Sequence, residues 1–420
     1  MNARPSRRSH RRWIARLALI VTATAAVVLT RLWWDDRLLY QASQAWNRHA
    51  LAQAYRLTDA HLREHPDDGR ALGLLGQIFA AQARWAEAAA AFDRAGAETV
   101  PARRAWAEAL LHERRFSDAL VQLDHILAQA PDDATALQEA IACHNQLGQY
   151  DVALARAETL RRLDGFADRG WLIIGTIQSE SGNRSQALDA WNELLQLNPD
   201  ARGLPVRPDE FFLELGRVQL ADAQPDAAVV SLTRSLSLHD SAAAGELLGE
   251  AHESGGETML ADDAWRAVVA KHPQSRVARE GLARLALARG DAASALTWLE
   301  PLADAPDLRR ATAYLLERAY LLSGNAPQAT LWRLRTEKLR ALESHTRLVE
   351  DLLNRNPRSF WSRVVRAHRF ASRGDWQQAA ELVSQLTAEN ANEPFVRDLA
   401  AAIARRGPLP DLQQLPVQQY

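Results

Sequence analysis

Apolar residues recur along this chain at spacings of three and four, separated by charged and amide residues, over nearly its whole length. That spacing predicts amphipathic helices. The helices are short, because breakers interrupt them at Gly148, Gly182-Asn183, Gly290-Asp291, Gly324-Asn325 and Gly374-Asp375. Glycine accepts the left-handed backbone with which a helix ends. Pro66, Pro131, Pro199 and Pro273 mark a second kind of break, where one helix stops and the next unit starts. Two kinds of break in alternation predict a chain of helical hairpins.

One small residue makes the hairpins periodic. An alanine near the start of each second helix recurs at Ala54, Ala88, Ala119, Ala153, Ala187, Ala228, Ala261, Ala295, Ala329 and Ala379. The steps are 34, 31, 34, 34, 41, 33, 34, 34 and 50 residues, so a period of 34 dominates. A unit of that size cannot bury its apolar face alone, and neighbours must stack. The rest of the pattern agrees. Leu72-x2-Leu75-Gly76-x2-Phe79 precedes Ala88-x3-Phe92, and Trp171-x2-Ile174-Gly175 precedes Ala187-x3-Trp191 and Pro199. Phe212-x2-Leu215-Gly216 precedes Ala228-x3-Leu232, and Leu248-Gly249 precedes Ala261-x3-Trp265 and Pro273. Small residues let paired helices approach, and large ones fill the space beside them. By this phase Trp85, Trp171, Trp191, Trp265 and Trp376 are packing residues and not a ligand cage.

On these residues the chain resembles the tetratricopeptide repeat family over about nine tenths of its length. The resemblance implies an all-α solenoid, a right-handed superhelix of helical hairpins. It also implies that the first helix of each hairpin lines a concave groove where protein or peptide partners dock. By repeat phase the side chains entering that groove include Arg104, Glu108, Gln138, Asn145, Thr176, Arg217, Glu246, Glu250, Glu253, Arg284, Tyr314, Arg318 and His368. Glu246, Glu250 and Glu253 form an acidic patch on one helix, and Arg284 and Arg318 a basic patch on the next two. A groove of both signs suits a peptide or a folded protein. The formal net charge of −2 argues against nucleic acid as the partner. Self-association is a further expectation.

The division of the chain follows. Residues 1–16 are a basic leader with six arginines and no acid, and 17–34 read as a membrane-spanning signal anchor. Fourteen uncharged residues, Leu17 to Thr30, run between Arg16 and Arg31, with Trp13, Trp33 and Trp34 at the edges, as interfacial belts prefer. The basic leader predicts an N-terminus in the cytoplasm and everything beyond Trp34 on the periplasmic side of an inner membrane. The alternative is a secretory signal cleaved after the Ala23-Thr24-Ala25 stretch, which would release a soluble periplasmic chaperone or adaptor. Residues 35–325 hold repeats one to eight and the start of the ninth, and 326–358 form a long or extra helix. Residues 359–406 hold the last hairpin and a capping helix, and 407–420 a flexible tail containing prolines. The step of 41 inserts Arg202 to Pro208 as a loop between units.

Candidate chemistry is sparse. Cys143 is the only cysteine, so neither an internal disulfide nor a multi-thiolate metal site is available, and its apolar neighbours predict a buried thiol. His61-Leu62-Arg63-Glu64-His65 matches the H-x-x-E-H pattern of a zinc peptidase. It closes a predicted helix before Pro66, where histidine and arginine also suit the helix dipole, and no third ligand follows in phase. Neither a G-x-x-x-x-G-K nor a G-x-S-x-G occurs. The expectation is a scaffold without enzymatic activity, metal or cofactor, tethered to a membrane and serving envelope assembly, secretion or polysaccharide export.

Overall fold

The computed structural model describes residues 37–415, and every regular element among them is helical. The basic leader and the membrane helix expected over 17–34 lie outside the described residues. No described helix is long and apolar enough to cross a membrane. The chain divides into two compact units, Met1–Gln224 and Pro225–Tyr420.

The first unit begins with α1 (37–47). It continues with α2 (Leu51–Glu64), α3 (Gly69–Ala81), α4 (Trp85–Ala95), α5 (Val100–His112) and α6 (Phe116–Gln129). Then come α7 (Ala134–Gln146), α8 (Tyr150–Arg161), α9 (Ala167–Glu180), α10 (Arg184–Leu197) and α11 (Pro208–Ala221). The second unit holds α12 (Pro225–Leu238), α13 (Ala242–Ser254), α14 (Thr258–Lys271), α15 (Arg276–Ala288) and α16 (Ala292–Leu299). It closes with α17 (Arg310–Leu322), α18 (Ala326–Arg355), α19 (Phe360–Ser372), α20 (Trp376–Glu389) and α21 (Pro394–Arg405). All ten periodic alanines fall on even-numbered helices, each at 7% exposure or less.

The turn from each odd helix to the following even one has one construction. A single residue takes a left-handed backbone, and the next amide donates to the carbonyl five residues back, which stops the helix. Gly148, Gly182, Gly256, Gly290, Gly324 and Gly374 supply it six times, and His49, Ala83, Arg114 and Ala223 the other four. The amides of Arg84, Arg115, Gln149 and Asp291, for instance, reach the carbonyls of Phe79, Leu110, His144 and Ala286 at 2.8–2.9 Å. The starts of several odd helices are capped by side chains: Asp68, Thr99, Asp133, Ser275 and Ser359 accept from backbone amides of the first turn.

Within a hairpin, an aromatic ring of the even helix fills a notch left by glycine on the odd one. Phe92 lies against Gly76, Trp191 against Gly175 and Trp265 against Gly249. Both tryptophans also donate from Nε1 to a carbonyl of the odd helix, Trp191 to Leu172 at 3.3 Å and Trp265 to Glu246 at 3.1 Å. Each donor thus stays satisfied in a dry site.

Two segments differ from a plain repeat. The 202–208 insertion packs down: Leu204 and Val206 touch the core around Phe211 and Phe212. Asn198 braces it by donating to the Arg202 carbonyl at 2.8 Å and to Asp168 at 3.0 Å. Residues 407–415, read from the sequence as part of a flexible tail, fold back in the second unit. Leu415 is buried with Val365, Val396 and Leu399, and Leu409 and Leu412 pack beside them. Their leucines follow no helical period because they lie on a finished helical surface instead of forming one.

The face of the odd-numbered helices

Every residue expected in the groove lies on an odd-numbered helix. Their environments are not alike, because neighbouring odd helices exchange ion pairs and hydrogen bonds across this face. Arg104 on α5 pairs with Asp133, the cap of α7. Asn145 on α7 donates to Glu180 on α9 at 2.6 Å. Thr176 bonds only to its own helix, at the Leu172 carbonyl, and Gln138 likewise at Ala134. Arg217 pairs with Glu214 one turn away on α11. Glu108 is exposed.

In the second unit the expected acidic and basic patches meet each other. Arg284 on α15 reaches back to Glu253 on α13 with both of its ends, at 2.7 and 3.3 Å, and its guanidinium lies over the Trp265 ring at 5.5 Å. Ser275 donates to Glu246 at 2.6 Å. The separate patches of one sign therefore become paired rungs. Glu250 is the acid of the three that forms no such bond. Burial raises its carboxyl above the ordinary range; Arg284 pulls it back, and Glu253 and Glu246 push it up again.

The sequence passed over two members of this face. Glu280 on α15 accepts from Thr312 on α17, and it stands in the same repeat position as Arg104 and Glu246, so the period alone was enough to find it. Glu139 on α7 is half-buried beside Arg104; burial raises its carboxyl, Arg104 lowers it, and Glu108 and Asp133 raise it further. No sequence signal marked it, since it lies off the groove positions.

His368 on α19 is not open to a partner. Its Nε2 donates to the Pro410 carbonyl at 3.0 Å, so the returning C-terminal segment covers it. Tyr314 and Arg318 on α17 are exposed. In the first unit a cleft of about 510 Å³ opens among α1, α3 and the start of α5, lined by Ser43, Asn47, Gly73, Gln77 and Thr99.

The H-x-x-E-H histidines have structural work. His61 is buried, donates to the α3 cap Asp68 at 2.8 Å, and packs its ring 5.0 Å from that of His65. Burial alone raises the Asp68 carboxyl, but bonds from His61 and from the Arg70 and Ala71 amides more than offset it, leaving Asp68 below its ordinary range. Among the described residues no group of three or more histidine, cysteine or acidic side chains is placed to hold a metal ion.

A tetratricopeptide repeat model matches residues 41–99 and 247–308, one stretch in each unit. No curated protein sequence matches the chain. Among solved structures, MamA is 16% identical at a TM-score of 0.37, covering 42% of this chain and 92% of its own. The C-terminal part of a repeat-containing protein from Cytophaga hutchinsonii is 14% identical at 0.47, covering 59% and 99%. YrrB, described as a TPR protein with an unusual peptide-binding site, is 20% identical at 0.36, covering 39% and 86%. At these scores the three likenesses carry no argument about this chain's partners. No catalytic family is indicated, and the hairpin fold with its two matched stretches is suited to binding proteins or peptides.

Proposed function

We propose that this chain of tetratricopeptide-type hairpins is a membrane-tethered scaffold that docks protein or peptide partners on the face of its odd-numbered helices. The observation that carries the reading is the state of that face. Its odd helices are knitted together by rungs such as Arg104–Asp133, Asn145–Glu180 and Arg284–Glu253. The rungs make it a rigid wall, and side chains such as Glu108, Glu250, Tyr314 and Arg318 are left over for a partner. A wall built in advance loses little freedom when a partner arrives.

The tether is read from residues 17–34, with the basic leader in the cytoplasm and the repeats on the periplasmic side. Confinement to a membrane surface raises local concentration, so moderate affinity for each partner suffices. Envelope assembly, secretion and polysaccharide export are the processes such a scaffold would serve. Alkaline phosphatase fused after residue 415, which is active only outside the cytoplasm, tests the arrangement together with carbonate extraction. Active enzyme retained in the membrane pellet is the expected result. Active enzyme released into the soluble fraction instead supports a cleaved, soluble adaptor, and inactive enzyme contradicts both.

A further inference from the structure

In the second unit α13 lies against α15 and α15 against α17, but no comparable contact joins α17 to α19. The cause is α18, which runs for 30 residues before α19 can begin. The step from Ala329 to Ala379 is 50 residues against the usual 34. At about 1.5 Å per helical residue, the excess carries α19 roughly 24 Å further along α18. The forward edge of α17 is thus left without its next odd helix.

Equivalent positions of the repeat serve as internal controls. Leu111, Leu220 and Leu287 occupy the place that Leu321 has in its own repeat, and all three are half-buried; Leu321 is 67% exposed. Leu172 and Leu213 occupy the place of Tyr314 and are buried and half-buried; Tyr314 is 46% exposed. Electrostatics agrees with the packing. Arg104 and Arg284 each find an acid on an adjacent odd helix, whereas Arg318 forms no ion pair among the described residues.

We propose that this edge is a docking slot for an amphipathic α-helix of a partner protein, which lies beside α17 as α17 lies beside α15. The stack dictates the chemistry of the occupant. Glu253 meets Arg284 31 residues on, and Glu246 meets Ser275 29 residues on. The same offset sets Leu321 against the occupant's counterpart of Arg284, and Arg318 against its counterpart of Glu280. The occupant therefore carries an acid for Arg318 and, four residues later on the same helical face, an aliphatic side chain for Leu321. The slot rests on the scaffold reading but is separable from it.

The probe is a peptide copying Arg276–Ala288 with Arg284→Leu, which places Glu280 and the new leucine at that spacing. It is stapled on its outward side, because 13 residues are marginal as a free helix. Fluorescence anisotropy with the full-length protein in detergent is expected to show saturable binding in the range of tens of micromolar. Leu321→Asp and Arg318→Glu, both at exposed positions and checked for unchanged circular dichroism, should each weaken it at least fivefold. A peptide with Glu280→Arg should recover affinity for the Arg318→Glu protein. No binding up to about 1 mM, binding indifferent to both substitutions, or no recovery on charge exchange overturns the slot. The wider scaffold reading falls only if crosslinking from the rest of the odd face also captures nothing.

Discussion

A Cβ added to Gly249 would lie 2.2 Å from Nε1 of Trp265, and one added to Gly281 would lie 2.6 Å from the same ring. The indole thus fills a notch between its own hairpin and the next, fully buried. Gly249→Ala is expected to cost about 1–3 kcal/mol through overpacking, and Trp265→Ala about 3–5 kcal/mol through the cavity it leaves. Urea unfolding followed by far-ultraviolet circular dichroism measures both. Because stacked repeats couple mainly to their neighbours, the loss should appear as an early transition of part of the helical signal. A change below about 0.5 kcal/mol for either variant would contradict the packing described.

Four of the ten hairpin turns place a side chain where the backbone is left-handed. Ala83 and Arg114, at φ of 56° and 58°, are exposed examples. Such a conformation costs a residue with a Cβ roughly 1–2 kcal/mol, and glycine much less. Ala83→Gly and Arg114→Gly should therefore stabilise the protein by about 0.5–1 kcal/mol each, against the usual penalty for introducing glycine. Thermal melts of the single and double variants settle the sign, and a lowered midpoint for both would refute the turn geometry.

These turns also show how far the sequence could be read. Where glycine stood, as at Gly148 or Gly374, the turn was plain; where Ala83 or Arg114 stood, only the period of the neighbouring alanines located it. The odd-helix positions were equally legible from the period. Their electrostatics were not, because Glu253 and Arg284 are 31 residues apart and only the stacking distance brings them together. The seat of residues 407–415 was hidden for a similar reason: Leu409, Leu412 and Leu415 pack on α19 and α21 in an extended chain with no period to follow.

Burial, and then the negative charge of Glu139, push the Cys143 thiol up to about 11. The side chain is fully enclosed in the first unit. At pH 8 about one thiol in a thousand is ionised, and that one is shielded. Ellman's reagent should leave the native protein unmodified over an hour and titrate one thiol promptly in 6 M guanidinium. Rapid reaction of the native protein would show that α7 is packed more loosely than described.

His368 offers a readout of the C-terminal segment. Burial lowers its imidazole below the ordinary 6.5, while the bond to the Pro410 carbonyl and the charge of Asp411 draw it part of the way back. A histidine whose folded value is depressed contributes stability that is present above 6.5 and is lost as pH falls through the folded value. Deleting residues 407–420 uncovers the ring, so its titration, followed by NMR of the imidazole protons, should move up toward 6.5. The acid-side loss of stability in the last hairpin should shrink with it. An unchanged titration would mean that the segment does not cover His368 in solution.

The central claim is that partners meet the face of the odd helices and not the opposite one. Benzoylphenylalanine placed at Glu250 or Glu108, and as a control at Val230, an outward position on α12 that is 71% exposed, can be photolysed in membranes of the producing cell. The account predicts one or more discrete adducts of defined mass from the odd-helix positions and none from Val230. Adducts from Val230 alone, or none from the odd face, would contradict it.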